Sequence, residues 1–149
     1  MKNFSYFVLF VLLTILPSTR ILAQGTTMKP ILMDAINYIQ AAENNGYEIV
    51  RMEFDIVTAS IKSSYRTLQQ GWTYGVVAFG DYRISDIDIA IYKDVDGTWA
   101  LVKKDDDAQS NAALDITPSS SGMYRIDIIA YKFVEGYSAA HYGMLIIHE

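Results

Sequence analysis

The chain has 149 residues, of which 51% are hydrophobic, 13% are aromatic and 19% are charged, with no cysteine and a formal net charge of −5. This length suits one domain with a core of its own, and the aromatic content is too high for a disordered chain. The absence of cysteine excludes a disulfide framework, a thiolate zinc site and a cysteine nucleophile. The acidic balance argues against nucleic acid or an anionic membrane as the natural partner.

Residues 1–24 predict a secretory signal peptide. Lys2 provides the positive start, an uninterrupted apolar run spans 7–16, and Pro17 breaks that run before the small residue Ala23. The apolar run rises only about 15 Å as a helix, half of the hydrocarbon core of a bilayer, so a membrane anchor is the weaker interpretation. Cleavage is expected after Ala23 or after the residue that follows it.

This leader predicts where the protein acts and which charge it carries there. With no cysteine to be lipidated, the mature chain is not expected to be a lipoprotein, and it should reach the periplasm or the exterior of a bacterium without inserting into a membrane. Removal of residues 1–24 takes away two basic residues and no acidic one, so the mature chain, 25–149, carries a net charge of −7. That charge favours solubility, and it favours cations or basic proteins as partners.

Residues 28–45 predict a single helix. Thr27 is the expected N-cap, Pro30 suits the first turn, and Asn45-Gly46 gives a stop signal. Apolar residues at helical spacing predict one stripe, Ile36 included, that covers a sheet face, because an isolated helix of this length is marginal in water. The stripe consists of Met28, Ile31, Leu32, Ala35, Ile36, Ile39 and Ala42.

From 48 to 148 the apolar period changes to two, and turn signals divide this region into about eight strands. Their number and spacing predict an antiparallel, jelly-roll-like β-sandwich with the helix packed on it. In the alternating segment 50–56, the apolar residues are expected to face the core and the charged ones the solvent. In 86–91, the isoleucines should face inward and the aspartates outward. No linker divides 25–149, so one domain is expected.

Short motifs follow one another in a fixed order between residues 68 and 147. They are Leu68-x-x-Gly71-x-x-Tyr74, Ala78-x-Gly80-Asp81, Ser85-Asp86-Ile87-Asp88-Ile89-x-Ile91-Tyr92, Asp96-Gly97, Asp105-Asp106-Asp107, Thr117-Pro118-x-x-Ser121-Gly122-x-Tyr124-x-Ile126 and Tyr142-Gly143. In order and spacing they resemble the bacterial pre-peptidase C-terminal domain, a secreted jelly-roll-like sandwich. Residues 28–58 precede this region and resemble an extension found on small stand-alone proteins of that type. The resemblance implies an accessory role beside secreted proteases, and calcium in some collagen-binding members.

Four aspartates are candidate calcium ligands: Asp81, Asp86, Asp88 and Asp106. Asp86 and Asp88 leave the same face of a strand about 7 Å apart, and neighbouring turns could bring the other two near. Hard cations such as Ca²⁺ need six to eight oxygen ligands from several such groups. The alternative is that these aspartates bond nearby backbone amides and meet solvent. No cofactor other than calcium is suggested.

Five aromatic residues are candidates for a ligand surface, because strand ends or outer strand faces are their predicted places. They are Tyr82, Tyr92, Trp99, Tyr131 and Tyr137. Exposed rings beside acids suit a carbohydrate or a peptide, since each ring offers apolar area and a polar tip. The alternative is that the rings form cross-strand pairs that stabilise the sheet.

The motifs of common enzymes are missing from the sequence. The two histidines, His141 and His148, are an odd number of residues apart on or beside one strand, so they should face opposite sides. G-x-S-x-G, H-E-x-x-H and phosphate-loop motifs are absent. The sequence therefore predicts a secreted, non-catalytic binding or accessory module whose partner is a secreted protein or a polysaccharide. A small carboxylate-based hydrolase of the glycosidase type, or a subunit or inhibitor of a secreted enzyme, is the alternative.

Overall fold

The computed structural model describes residues 28–58 and 61–149, which form one helix and eight strands. In chain order these are α1 (Lys29–Asn44), β1 (Glu48–Thr58), β2 (Ile61–Leu68), β3 (Tyr74–Gly80), β4 (Ile84–Val95), β5 (Thr98–Asp105), β6 (Asn111–Ile116), β7 (Gly122–Phe133) and β8 (Ala139–His148). The predicted signal peptide and the N-cap expected at Thr27 lie outside the described residues. Within the described part, no helix has the length and hydropathy to cross a bilayer.

The strands form two antiparallel sheets of four strands each. Sheet A has the order β1-β8-β3-β6, and sheet B has the order β2-β7-β4-β5. The pairs β1 with β8, β2 with β7, β3 with β6 and β4 with β5 describe a two-stranded ribbon rolled upon itself, which is the strand order of a jelly roll. The predicted fold class is confirmed. Because β1 pairs with β8 along its length, the segment before residue 68 supplies strands to the sandwich itself.

The main core lies between the two sheets and consists of alternate residues of the strands. Ile87, Ile89 and Ile91 of β4 meet Ile126 and Ile128 of β7 there, all of them buried. The isoleucines of β4 therefore face inward and the intervening aspartates outward, as the alternation predicts.

A second, smaller core lies between α1 and the outer face of sheet A. Ile31 and Ala35 of the helix are buried there against Phe79 of β3 and Leu145 of β8. Gly143 makes this contact possible, because a Cβ atom at that position would collide with the ring of Phe79. The helix is therefore packed on the sandwich, as predicted.

The buried stripe of the helix is narrower than the sequence predicts. Ile31 is 1% exposed, whereas Leu32 and Ile36 are each 45% exposed. The helix contacts sheet A mainly through one row of residues, so a residue one position further along points about 100° away from the contact. The expectation that Ile36 is a core residue is wrong.

The helix ends as the stop signal predicts. Gly46 has a φ of 81°, a left-handed conformation that glycine adopts without a steric penalty. The Gly46 N–H donates to the Glu43 carbonyl, and the Tyr47 N–H donates to the Ala42 carbonyl at 3.0 Å. These two bonds form a Schellman motif, which satisfies the last carbonyls of the helix.

Strand β1 faces the opposite way to the prediction over most of its length. Met52 and Ile56 are exposed and Phe54 packs beneath the helix, so all three lie on the outer side of sheet A. The pairing register with β8 shifts between Ile49 and Arg51, and this irregularity inverts the alternation after Val50. Local periodicity carries no sign of that shift.

The charged residues of β1 consequently face the gap between the two sheets, at the edge of the sandwich that β1 and β2 form. Glu53 accepts hydrogen bonds from the Ser64 hydroxyl at 3.1 Å and from the Tyr142 hydroxyl at 2.9 Å. Asp55 pairs with Lys62 of β2 at 2.8 Å. Burial by itself raises the pKa of Glu53, but the hydrogen bonds from Arg51, Tyr142 and Ser64 bring it below its usual value. Polar contacts thus join β1 to β2 and to β8 at this edge of the sandwich.

Candidate ligand-binding surface

The outer face of sheet B carries a cluster of aromatic rings around an arginine. Tyr65 of β2, Arg125 of β7, Tyr92 of β4 and Trp99 of β5 supply one side chain from each strand. The Arg125 guanidinium carbon lies 4.3 Å from the centre of the Tyr92 ring and 5.2 Å from that of Trp99. The centres of the Tyr65 and Trp99 rings are 5.6 Å apart, so these two rings contact each other. We call these four residues the platform.

The arginine of the platform is held from below. Its Nε atom lies 3.1 Å from Oδ1 of Asp127, two residues along the same face of β7. The Ser63 hydroxyl donates to the same carboxylate oxygen at 2.7 Å. Asp127 is buried, so water screens this ion pair little, although the Nε–H makes no hydrogen bond within the described residues. The side chain of Tyr65 is 55% exposed.

A pocket of about 230 Å³ lies further along the same face. Its lining consists of Asp86, Asp88, Lys104, Asp106, Ala108 and Tyr131. The Lys104 ammonium lies 3.1 Å from an oxygen of Asp106 and 3.7 Å from an oxygen of Asp88. Because Asp88 and Tyr92 are four residues apart on β4, the pocket begins about 13 Å from the platform. We call this site the acidic pocket.

The two aspartates on the floor of the acidic pocket are buried. Asp86 is 8% exposed, and its Oδ1 atom has no hydrogen-bond partner among the described residues. Burial raises the pKa of Asp88; Lys104 acts against this shift, and Asp86 and Asp106 add to it, so the pKa lies above its usual value. Buried polar atoms are nearly always bonded, and leaving one without a partner costs free energy. The Oδ1 atom of Asp86 is itself shielded from solvent, so its lack of a partner costs stability.

The structure brings three of the four candidate calcium ligands together in the acidic pocket and places Asp81 elsewhere. Arg83 Nε donates to Oδ1 of Asp81 at 3.0 Å, and the His141 backbone N–H donates to Oδ2 at 3.0 Å. Burial by itself raises the pKa of Asp81, but these hydrogen bonds bring it below its usual value. In residues 28–58 and 61–149, no group of three or more His, Asp or Glu residues is arranged to hold a metal ion. Calcium at the remaining aspartates stays a prediction.

The five candidate aromatic residues lie in three places. Tyr92 and Trp99 belong to the platform, and Tyr131, which is 74% exposed, stands at the rim of the acidic pocket. Tyr82 and Tyr137 form an edge-to-face pair between two loops, with ring centres 5.8 Å apart. The Arg83 guanidinium carbon also lies 5.8 Å from the centre of the Tyr82 ring.

Sequence reasoning missed two members of the platform, Tyr65 and Arg125. Tyr65 is an odd number of residues from the buried Leu68 on a regular strand, which places it on the outer side. Arg125 lies between the buried Tyr124 and Ile126 and is placed outward by the same rule. The signal was therefore present in the alternation, but nothing local indicated that the two side chains meet.

The two histidines lie on opposite sides of β8, as predicted. His141 is buried, and its Nδ1 lies 3.1 Å from a terminal nitrogen of Arg83. His148 packs against the ring of Trp72 at a centre-to-centre distance of 4.7 Å and lies 3.3 Å from Glu48. Neither histidine lines the acidic pocket or belongs to the platform.

A cavity of about 390 Å³ lies between the helix and the ends of β3 and β6. Its lining consists of Asp34, Asn37, Tyr38, Phe79, Gly80, Ser110 and Asn111. The ring of Tyr38 stacks on that of Phe79, with centres 4.7 Å apart, so part of the lining belongs to the helix-side core. Among the described residues, no buried side-chain polar atom in this cavity lacks a partner.

Neither a protein-family model nor a curated protein sequence matches the chain. Solved structures show what it is similar to in fold. A periplasmic inhibitor of g-type lysozyme, PliG from Aeromonas hydrophila, has a TM-score of 0.50 and 12% identity, over 66% of this chain and 85% of that one. A CBM4 structure has a TM-score of 0.43 and 13% identity, over 73% and 83% of the two chains. The class that the fold defines is the two-sheet β-sandwich, with one helix packed on it.

Proposed function

We propose that the mature protein is a secreted, non-catalytic module that binds a basic protein through the outer face of sheet B. The platform is the single observation that carries this proposal. Aromatic rings and arginine dominate the binding energy of protein interfaces, because each combines a large apolar area with a polar contact. Here three rings and an arginine are gathered on one sheet face and are anchored by Asp127.

Charge selects the kind of partner. The mature chain carries −7, and the acidic pocket beside the platform holds three carboxylates and one ammonium. Opposite charge across an interface speeds encounter and excludes partners of the same sign. A positively charged protein therefore fits this face better than an acidic polysaccharide does.

The fold is compatible with this role. The periplasmic inhibitor of g-type lysozyme has a similar fold, although a shared fold does not by itself select a partner. If the partner is a secreted enzyme, the module is its subunit or its inhibitor. The predicted signal peptide would bring the module to the periplasm or to the cell exterior, where such enzymes act.

The pre-peptidase C-terminal resemblance of residues 68–147 supports an accessory role of the same kind. The motif glycines Gly71 and Gly97 lie in turns with φ values of 79° and 82°, where glycine is favoured. Asp94 accepts a hydrogen bond from the Gly97 N–H at 2.8 Å and closes the β4–β5 turn. We propose membership of this family on those grounds.

The two tryptophans of the chain, labelled with 5-fluorotryptophan, allow a direct test of the binding face. In Trp72→Phe, the ¹⁹F resonance reports Trp99 on the platform, and in Trp99→Phe it reports Trp72 near the end of β8. The probes are g-type and c-type lysozymes as unlabelled basic proteins and soluble xylan as a polysaccharide. We expect a basic protein to shift the resonance of Trp99 and not that of Trp72, and we expect Tyr65→Ala to weaken that binding.

The matched control is Trp72→Ala, which removes an exposed ring outside the platform and should leave the affinity for the protein probe unchanged. A response of Trp99 to xylan alone would replace the protein partner by a polysaccharide. If no basic protein probe changes the signal of Trp99, the proposal is overturned.

One observation favours a second function, a carboxylate-based hydrolase. A buried carboxyl group with a raised pKa, such as that of Asp88, is what a general acid requires. The test is the release of reducing sugar from xylan by the wild type and by Asp88→Asn. Release that is lost in Asp88→Asn would establish the hydrolase and displace the non-catalytic proposal, whereas the absence of release in both rejects this second function.

A further inference from the structure

Polar side chains of the helix and of β6 converge on the cavity of about 390 Å³ between α1 and the ends of β3 and β6. Asp34 and Asn37 reach it from one side of the helix, because residues three apart on a helix are neighbours. Ser110 and Asn111 reach it from the start of β6, where Asn111 precedes the core residue Ala112 and so points to the helix side of sheet A. We call this space the helix-side cavity.

The polar groups of the helix-side cavity are accessible to a ligand. Asp34, Asn37, Ser110 and Asn111 are all exposed residues. Within residues 28–58 and 61–149, the side chains of Asn37 and Ser110 have no hydrogen bond. Their donors and acceptors are therefore free to bond a molecule that enters the cavity.

One wall of the cavity is aromatic. The ring of Tyr38 stacks on the buried ring of Phe79, which fixes its position. The pKa of Tyr38 is raised, chiefly by burial and also by the Asp34 charge, whereas the Asn111 side chain acts against the rise. The Tyr38 hydroxyl thus lies near polar groups of both the helix and β6. The cavity combines apolar ring surface with hydrogen-bonding groups on either side of it.

The elements around the cavity are held in place by the fold. Phe79 and Asn111 are partners in the pairing of β3 with β6. The Gly80 N–H donates to the Ser110 carbonyl at 3.1 Å, which ties the start of β6 to the end of β3. On the helix, Asp34 lies beside the buried Ala35. A cavity formed in this way lowers the cost of ordering side chains when a ligand binds.

We propose that the helix-side cavity binds a neutral sugar unit of a polysaccharide. The sugar hydroxyl groups bond to Asp34, Asn37 and Asn111, and the C–H groups of the sugar ring lie against the aromatic wall. The cavity is on the outer side of sheet A, whereas the platform is on the outer side of sheet B. The sugar is therefore a second ligand, in addition to the basic protein proposed for sheet B.

The mixture of polar groups favours a sugar over a charged ligand. An amide side chain offers both donors and acceptors, as each sugar hydroxyl does. Among the described residues that line the cavity there is no Lys, Arg or His, so a phosphate or a carboxylate would have no counter-charge. Asp34 is the one charged residue of that lining, so an ammonium group would leave the amides unused. The cavity volume lies within the range of small-molecule sites, about 300–1,000 Å³.

The test uses the mature protein, labelled with ¹⁵N, and four neutral pentasaccharides: cellopentaose, xylopentaose, maltopentaose and the chitin pentasaccharide. We expect at least one of them to shift the resonances of 34–38 and of 110–111. Asn37→Ala removes one amide of the site and should weaken that binding by about tenfold, equivalent to about 1.4 kcal/mol. The matched control is Gln40→Ala, which removes an exposed amide of the same helix outside the cavity and should leave the affinity unchanged.

Both variants are expected to fold, because alanine is the best helix former and both positions are exposed; melting curves check this. If no neutral pentasaccharide shifts the resonances of 34–38 and 110–111, or if Asn37→Ala binds as well as the wild type does, the inference is wrong. A glucosamine pentasaccharide carries ammonium groups in place of the acetamido groups of chitin. If it binds and no neutral sugar does, the cavity is a cation site and the inference is overturned.

The lysozyme probes separate this inference from the proposed function. If they shift the ¹⁹F resonance of Trp99 while no pentasaccharide binds, the proposed function stands and the sugar site falls. If a pentasaccharide shifts the resonances of 34–38 while Trp99 responds to no protein probe, the sugar site stands and the platform is not the binding face for a basic protein. If the pentasaccharides shift Trp99 and not 34–38, the sugar binds on sheet B and the inference is wrong.

Discussion

The outer faces of the two sheets carry similar side chains, but the helix covers one face and leaves the other exposed. On sheet A, Phe79 and Leu145 point outward from the sheet and are buried because α1 lies over them. On sheet B, Tyr65 and Trp99 also point outward, and their rings meet each other instead of an overlying helix. An outward apolar residue therefore becomes core only where another element covers it, and elsewhere it stays at the surface.

Two buried carboxylates, those of Asp81 and Asp86, differ in whether their oxygens have hydrogen-bond donors. Asp81 is engaged by Arg83 and by the backbone of His141, so its acceptors are used within the fold. Asp86 is as deeply buried as Asp81, but it keeps an oxygen without a donor. The first arrangement stabilises the protein, whereas the second costs stability.

The largest expected effect tests the covered face. Ile31→Asp would place an unpaired charge between the helix and sheet A, and we expect it to lower the free energy of unfolding by about 3–5 kcal/mol. Ile36→Asp, on the same helix but half-exposed, should change it by less than about 1 kcal/mol. Urea denaturation of both variants measures the difference. Equal losses would mean that the helix turns a different side to the sheet.

The next largest effect tests Asp81, the carboxylate that is bonded within the fold. Asp81→Asn leaves Arg83 buried without its counter-charge, and we expect a loss of about 2–4 kcal/mol at neutral pH. Because the pKa of Asp81 is lowered in the folded state, its contribution is present above the usual aspartate value and is lost as the pH falls through the folded value. Melting curves of variant and wild type should therefore converge in acid. A constant gap at every pH would contradict this assignment.

A smaller effect of opposite sign tests the acidic pocket. The pKa of Asp88 is raised in the folded state, so its favourable contribution is present at low pH and is lost as the pH rises through the folded value. Asp88→Asn removes this loss, and we expect a gain of about 1 kcal/mol or less at neutral pH. The gain should vanish near about pH 3, below the ordinary aspartate pKa. Paired melting curves across this range measure it, and a loss at neutral pH would be the contrary result.

The smallest effect on stability tests the uncovered face. Trp99→Ala removes a half-buried ring from the platform, and we expect it to lower the free energy of unfolding by about 1 kcal/mol or less. The same change should weaken the binding of the basic protein probe by at least about tenfold, as measured by calorimetric titration. A loss as large as that of Ile31→Asp would instead make the platform a second core.

Local periodicity determined most of the architecture. The helical spacing of 28–45 and the period of two from 48 to 148 led to one helix on eight strands, and the alternation in β4 placed its isoleucines inward. These features depend on residues close together in the chain, whose geometry repeats every 3.6 or 2 residues. The β-sandwich and its helix could therefore be predicted from the sequence alone.

Tertiary structure alone decided the faces and the candidate site. A register shift near Val50 reversed which residues of β1 face the core. The narrow contact of the helix with sheet A left Ile36 outside the core. Tyr65 and Trp99 come from strands at opposite edges of sheet B, and their rings meet across the two strands that lie between them. Whether Oδ1 of Asp86 finds a hydrogen-bond donor likewise depends on where Lys104 and the loop after β5 lie. Pairings between distant segments set these contacts, and local propensity carries no record of them.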